Sequence, residues 1–135
     1  EALTEATDMT DTSANSVGAG AVAVKTVTAD GAVITDADVV ILSQTYATEG
    51  AALLGMATGG ADTFQFGSAL TDLDTILVAF SDGTDSYIAA VGADTGTNSG
   101  TANSTSDSFD HIEIFVKLSG VSDLSTLDAS DFVFI

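Results

Sequence analysis

Carboxylates are the one kind of reactive side chain that this sequence offers in quantity. It has 20 Asp and Glu residues but a single His and no Cys. Zinc sites need imidazole or thiolate ligands, and nucleophile–His catalysis needs a His beside its nucleophile. His111, with Glu113 two residues further on, therefore indicates a strand residue and not half of a catalytic or zinc site. Paired carboxylates can hydrolyse glycosides, but most Asp residues here occupy turn contexts, so we expect no enzyme.

Calcium is the ligand that these carboxylates favour, because it binds through oxygen atoms. A short pattern of an apolar residue, Thr or Ser, Asp, any residue, and Asp or Ser recurs at 34–39, 70–75 and 121–126. Its polar side chains either bond backbone amides in local turns or converge on a cation, and both interpretations stay open. The candidate ligands lie near a predicted hairpin turn and the long polar loop after it: Asp72, Asp74, Asp82, Asp85, Asp94, Asp107 and Asp110.

The charge balance excludes two classes of partner. The only cations are Lys25 and Lys117, and the formal net charge is −18. Nucleic acids and anionic membranes are bound through Lys and Arg, so we expect no nucleic-acid partner. No apolar run reaches the length of a membrane span, so we expect no membrane insertion. Self-repulsion weakens a compact state unless salt or divalent cations screen it, which fits a marine, halophilic or calcium-rich setting.

The hydrophobic pattern predicts a mainly β chain. Residues 1–20 are small, polar and acidic, and we expect a flexible or assembly arm there, followed by a single β-domain over 21–135. We expect about seven to eight strands in a β-sandwich or β-roll-like fold. The apolar run at 38–42 is typical of a strand buried on both faces. Asp82-Gly83 predicts a type I′ hairpin turn.

One short helix is predicted over residues 48–57. Thr48 can cap it, Glu49 suits its first turn, and Gly59-Gly60 can end it. Gly50 and Gly55 each weaken such a helix by about 1 kcal/mol relative to Ala. We therefore expect tertiary packing to hold it.

The C-terminal part carries two further predictions. Residues 109–118 alternate in polarity, and we expect the core to receive one face of this strand, which carries Ile112, Ile114, Val116 and Leu118. We also expect a final strand over residues 131–135, which ends in four apolar residues. That strand would close either its own domain or the domain of the next molecule.

Two stretches resemble a known family. Residues 59–66, GGADTFQF, resemble the closing half-repeat of RTX proteins, the calcium-binding β-roll proteins. This resemblance implies that Asp62 is the motif aspartate and a calcium ligand, and that Phe64 is its buried apolar residue. The last five residues are similar to the C-terminal signal of proteins exported by type I secretion: Asp131, Phe132, Val133, Phe134 and Ile135.

Together these stretches are similar to C-terminal modules of RTX-type surface, S-layer and adhesin-like proteins, over roughly residues 59–135. The resemblance implies that the type I secretion apparatus is a partner during export and that the chain folds outside the cell, where calcium is plentiful.

We therefore expect a secreted, non-enzymatic structural protein of the cell surface or extracellular matrix. It would self-assemble as an S-layer or filament subunit, a homo-oligomer or polymer whose folding is aided by calcium. Strand addition through the N-terminal arm or an exposed sheet edge is the expected contact. The alternative is a C-terminal export and folding module of a larger RTX enzyme or adhesin. A carbohydrate-binding sandwich is a further rival, and it would need an aromatic platform from Tyr46, Tyr87 and surface Phe.

Overall fold

A computed structural model describes residues 23–34, 37–57, 59–66, 75–93 and 109–132, so the expected arm at 1–20 lies outside the described residues. The chain is mainly β, as predicted. In chain order the elements are β1 (Val24–Thr26), β2 (Ala32–Ile34), β3 (Val39–Thr45), α1 (Glu49–Met56), β4 (Phe64–Phe66), β5 (Thr75–Ser81), β6 (Ser86–Ala93), β7 (Phe109–Leu118) and a 3₁₀ helix (Ala129–Asp131).

Five strands form one mixed sheet in the order β1-β3-β5-β6-β7. The strands β1, β3 and β5 run parallel, whereas β6 is antiparallel to both β5 and β7. The sheet is not closed into a barrel, so β1 and β7 are its edge strands. The short strands β2 and β4 form a separate parallel pair.

Both faces of the sheet are covered, which explains the continuous apolar run in β3. Val40 and Leu42 belong to a first core, which also receives Met56 of α1 and Phe64 of β4. The intervening residues of β3 belong to a second core on the opposite face, which is covered by Leu124 near the C-terminus. Its buried members are Val39, Ile41, Leu77, Ala79, Ile88 and Leu124. The prediction that this strand is buried on both faces is confirmed.

A bulge in β7 corrects the expected pattern of that strand. Its register with β6 pairs Val116 with Ile88 but Ile114 with Ala89, so Phe115 is an extra residue. One inserted residue reverses the alternation of side chains beyond it. Ile112 and Ile114 accordingly pack against the first core, whereas Val116 packs against the second. The expectation that these side chains and Leu118 share one face was wrong.

The predicted hairpin joins β5 to β6, but its turn is longer than expected. Ser81 pairs with Ser86, so residues 82–85 form the connection. Asp82 Oδ1 accepts the N–H groups of Thr84 and Asp85, each at 2.8 Å. The prediction of a two-residue type I′ turn was therefore wrong, because the Asp82 side chain organises a wider loop. Gly83 does have the positive φ, +93°, that the Asp-Gly signal indicated.

The end of the chain also departs from the prediction. Asp131 belongs to the 3₁₀ helix and not to a strand, since the side chain of Asp128 caps that turn by accepting the N–H of Ser130 at 2.7 Å. Phe132 is extended and packs against the second core. Residues 133–135 lie outside the described residues.

The helix α1 begins and ends close to its predicted limits. Thr48 Oγ1 caps it by accepting the N–H of Ala51 at 3.1 Å, and Gly59 follows it with φ +83°. With eight residues, it is too short to cross a membrane, and the described chain contains no helix that could. Gly55 has a packing role, because a Cβ atom there would lie 2.3 Å from the ring of Tyr46, whereas one at Gly50 would meet nothing within 4 Å.

The two helix glycines should therefore respond in opposite directions to the same substitution. Gly50→Ala is expected to raise the free energy of unfolding by about 0.5–1 kcal/mol through helix propensity alone. Gly55→Ala is expected to lower it by about 1–3 kcal/mol, because the new methyl group displaces the Tyr46 ring. Urea unfolding followed by circular dichroism measures both, and equal effects at the two positions would contradict the packing role.

Candidate functional site

Asp62 is the buried carboxylate of the described chain, with none of its surface exposed. It lies in the turn between α1 and β4. Its Oδ1 accepts the Ser43 hydroxyl at 2.5 Å, and its Oδ2 accepts the Gln44 N–H at 2.9 Å and the Tyr46 hydroxyl at 2.8 Å. Ser43 and Gln44 lie at the end of β3, and Tyr46 directly follows it. The Asp62 N–H also donates to the carbonyl of Gly55 at 3.0 Å.

This arrangement gives the buried carboxyl group of Asp62 several hydrogen-bond partners. A buried carboxylate is costly unless hydrogen bonds replace its water shell, and the donors from β3 do so. Burial raises the pKa of Tyr46, and the hydrogen bond to Asp62 raises it further. Tyr46 is therefore a neutral donor at physiological pH. The carboxylate joins the end of β3 to the turn before β4, across the end of α1.

A second set of carboxylates organises the β5–β6 loop, which we call the hairpin cluster: Asp82, Asp85, Tyr87 and Lys117. Asp82 Oδ2 accepts the Tyr87 hydroxyl at 2.7 Å. Asp85 Oδ2 pairs with Lys117 Nζ at 2.6 Å, and its Oδ1 accepts the N–H of Gly120 at 2.7 Å. The cluster thus fastens the hairpin loop to β7 and to the residues just after it.

The hydrogen bonds of this cluster set its protonation. The Asp85 N–H lowers the pKa of Asp82 most strongly, and the Tyr87 hydroxyl adds to this effect. Lys117 lowers the pKa of Asp85, and the Gly120 N–H lowers it further. Asp85 in turn raises the pKa of Lys117. The two carboxylates and the ammonium group are therefore all ionised across the neutral range.

The described carboxylates of the repeated acidic pattern accept backbone N–H groups, locally in one copy and over a long range in another. In the copy at 121–126, Asp123 Oδ1 accepts the N–H of Ser125 at 2.8 Å, and the Ser125 side chain lowers the Asp123 pKa most. In the copy at 34–39, Asp38 Oδ2 accepts the N–H of Ala23 at 2.6 Å. Most of the copy at 70–75 lies outside the described residues.

The candidate calcium ligands are only partly brought together. Asp82 and Asp85 share one loop. Asp62 lies by the end of β3, beside that loop, because the Tyr46 N–H donates to the carbonyl of Ser81 at 2.8 Å. Asp110 belongs to β7, at a register shift with β6. The remaining candidates lie outside the described residues: Asp72, Asp74, Asp94 and Asp107. Within the described part of the chain, no three Asp, Glu or His side chains gather as a metal site would require.

Sequence reasoning missed the partners of these carboxylates: Ser43, Gln44, Tyr46 and Lys117. A signal existed for Tyr46, which shares the parity of Val40 and Leu42 along β3 and therefore points to the first core. No local pattern indicated that its hydroxyl would meet Asp62. Similarly, the bulge at Phe115 determines the face of the sheet to which Lys117 points. The regular alternation of residue types along β7 gives no sign of that bulge.

Comparison of the chain with protein-family models, with known proteins and with solved structures finds no match. We therefore infer function from the geometry alone.

The buried Tyr46 makes the folded state less stable as the pH rises into the alkaline range. Because the Tyr46 pKa is raised in the folded protein, stability is complete below the unfolded value of about 10 and declines above it, by about 1.4 kcal/mol per pH unit. Tyr46→Phe should remove most of this slope in urea titrations between about pH 9 and 12. Tyr87 is the only other tyrosine and is half-buried, so Tyr87→Phe should change the slope less. An equal change in both variants would exclude burial as the main cause.

Proposed function

We propose that this chain is a secreted, non-enzymatic structural subunit of the cell surface or extracellular matrix, and that it self-assembles by strand addition. The observation that carries the proposal is the edge strand β7. It has ten residues, more than any other described strand. Among the described residues, no strand pairs with its outer side. An unpaired edge of this length is a template for a strand from another chain.

Each edge strand carries one of the chain's two cations: Lys25 lies on β1 and Lys117 on β7. Lys117 is paired with Asp85 at 2.6 Å, and lysines on an edge discourage unselective pairing. Residues 1–20 are small, polar and acidic in sequence, a composition typical of a segment that orders only against a neighbour. We therefore assign the arm of a second copy as the donated strand.

The protonation of the described carboxylates supports a non-enzymatic role. A general acid or base works best when its pKa lies near the working pH. Hydrogen bonds from backbone and side-chain donors move the pKa of Asp82, Asp85, Asp123 and Asp128 in the other direction, below the ordinary value. These side chains act as fixed anions that order turns.

We further propose a sandwich-like arrangement and kinship with RTX-type proteins exported by type I secretion. The parallel pair β2–β4 lies as a small second layer over the first core, which receives Ile34 and Phe64. Burial of Phe64 after the Gly59-Gly60 turn agrees with its place in the half-repeat that the sequence resembles. Phe132 packs against the second core, which gives part of the proposed export signal a place in the folded domain.

Assembly is expected to depend on the surface of β7. Phe115 is 50% exposed at the bulge, so Phe115→Lys adds a charge to the edge strand without disturbing either core. We expect it to lower the assembled fraction by about tenfold, measured by light scattering at fixed chain concentration. Leu54→Lys is the matched control, because Leu54 is 73% exposed on α1 and the substitution changes the net charge equally.

Deletion of residues 1–20 tests the donated strand in the same assay. We expect the shortened chain to form no assemblies larger than a pair of chains. Larger assemblies of the shortened chain would overturn the role of the arm, and equal assembly by the two lysine variants would overturn the role of β7.

Calcium is expected to raise the melting temperature by roughly 5–10 °C relative to chelator, if carboxylates outside the described residues complete a site. Asp74→Ala should reduce this increment. Asp82→Ala should instead lower the melting temperature by a similar amount in both conditions, because it removes a turn acceptor. An equal rise with Mg²⁺, or with NaCl at the same ionic strength, would indicate general screening and contradict a calcium site.

A further inference from the structure

The C-terminal segment, residues 121–132, is joined to the sheet in an unusual way. Its contacts with the second core are apolar: Leu124 is 7% exposed there, and Leu127 and Phe132 pack beside it. Beyond Val121, the hydrogen bonds of the described segment are all internal. They include Ser125 N–H to Asp123, Leu127 N–H to the Leu124 carbonyl, and the reciprocal bonds of the capping box at Asp128. Among the described residues, the segment beyond Val121 therefore contacts the sheet through apolar side chains, while its hydrogen bonds form its own turns.

The connection to β7 has the properties of a hinge. Gly120 has φ +75°, a conformation that side chains with a Cβ atom rarely adopt. Three polar contacts hold this turn: the Gly120 N–H donates to Asp85, the Ser86 hydroxyl donates to the Val121 carbonyl at 2.6 Å, and the Val121 N–H donates to the Leu118 carbonyl at 3.4 Å. If this turn opened, β7 would continue outward and carry the intact segment away from its own sheet.

We infer that the C-terminal segment exchanges between two copies of this chain, each covering the second core of the other. This inference deepens the proposed self-assembly and rests on it. The structure identifies the partner as a second copy of this chain, because the segment whose side chains fit the second core is the chain's own C-terminal segment. In an exchanged pair the same contacts form between chains, so no new surface has to be complementary. The only internal change is the backbone at the hinge.

A substitution at the hinge tests the exchange. An added Cβ atom at Gly120 would meet nothing within 4 Å, so Gly120→Val acts only through the strained φ, which an extended hinge relieves. We expect the exchanged species to increase about tenfold relative to the monomer, measured by light scattering after size-exclusion chromatography. Gly31→Val is the matched control, because Gly31 has φ +74° and equally open surroundings far from the hinge.

A second control keeps the result clear if Gly120→Val folds poorly. Asn tolerates positive φ better than other residues with a side chain, so Gly120→Asn should stay closer to the parent protein. Exchange is supported if the exchanged fraction increases from the parent protein through Gly120→Asn to Gly120→Val. It is overturned if Gly120→Val and Gly31→Val have the same distribution of masses.

A disulfide trap identifies the contact directly, since the chain has no Cys of its own. Leu124→Cys in one chain is mixed with a sheet variant in another. The sheet position is whichever of Ala79→Cys and Ile88→Cys closes an intramolecular disulfide when combined with Leu124→Cys. After unfolding and refolding together, a covalent heterodimer is expected. Its absence overturns the exchange.

The same trap separates this inference from the proposed strand addition. Adding Phe115→Lys to both chains leaves the hinge and the second core intact, so the covalent heterodimer should persist while larger assemblies disappear. If the covalent heterodimer forms and Phe115→Lys leaves assembly unchanged, exchange is supported and strand addition at β7 is overturned. Loss of assembly without any heterodimer supports addition at β7 and overturns exchange.

Discussion

The buried carboxylate of Asp62 is the constraint on which the rest of the first core depends. A charge without solvent has to be met by fixed dipoles, and the donors at the end of β3 supply them. One of these donors is Tyr46, whose ring requires a glycine at position 55 of α1. The position of the helix, the turn after it and the start of β4 therefore follow from one hydrogen-bonded group. Loss of any donor would leave part of a buried charge unpaired, which is more costly than a missing apolar contact.

Four other described carboxylates, Asp82, Asp85, Asp123 and Asp128, bear on a different problem, that of a chain with formal charge −18 and two cations. They are placed where backbone N–H groups are otherwise unpaired, in the hairpin loop and in the C-terminal segment. In these positions the negative charge contributes to local order and partly offsets its own repulsion. Lys117 is placed where it serves two carboxylates, since it pairs with Asp85 and lies 5.7 Å from the ring of Tyr87, the hydrogen-bond partner of Asp82.

Much of the fold could be predicted from the sequence because short local patterns specify it. Thr48 marks the start of α1, Asp82-Gly83 marks a hairpin, and the unbroken apolar run of β3 marks burial on both faces. The bulge at Phe115 could not be predicted, because exposed and half-buried residues continue to alternate along β7 even though the faces exchange. The Asp62 site could not be predicted from the sequence for another reason. Its parts are separated by 16 to 19 residues, and only tertiary packing selects which acceptor a strand-end hydroxyl meets.

The order in which the two cores can form bears on the proposed export, folding and assembly of this chain. The first core is built from Val27, from β2 to β6 and from the elements between them, with Ile112 and Ile114 at its margin. Among the described residues, the second core is covered by the segment after β7, so that segment is needed to cover the apolar face of β3 and β5. If an exporter holds that terminus, as we propose, folding cannot be completed inside the cell. Release of the tail outside would then close the sheet, either by its own segment or by the segment of a neighbour, and the local concentration of chains would decide between them.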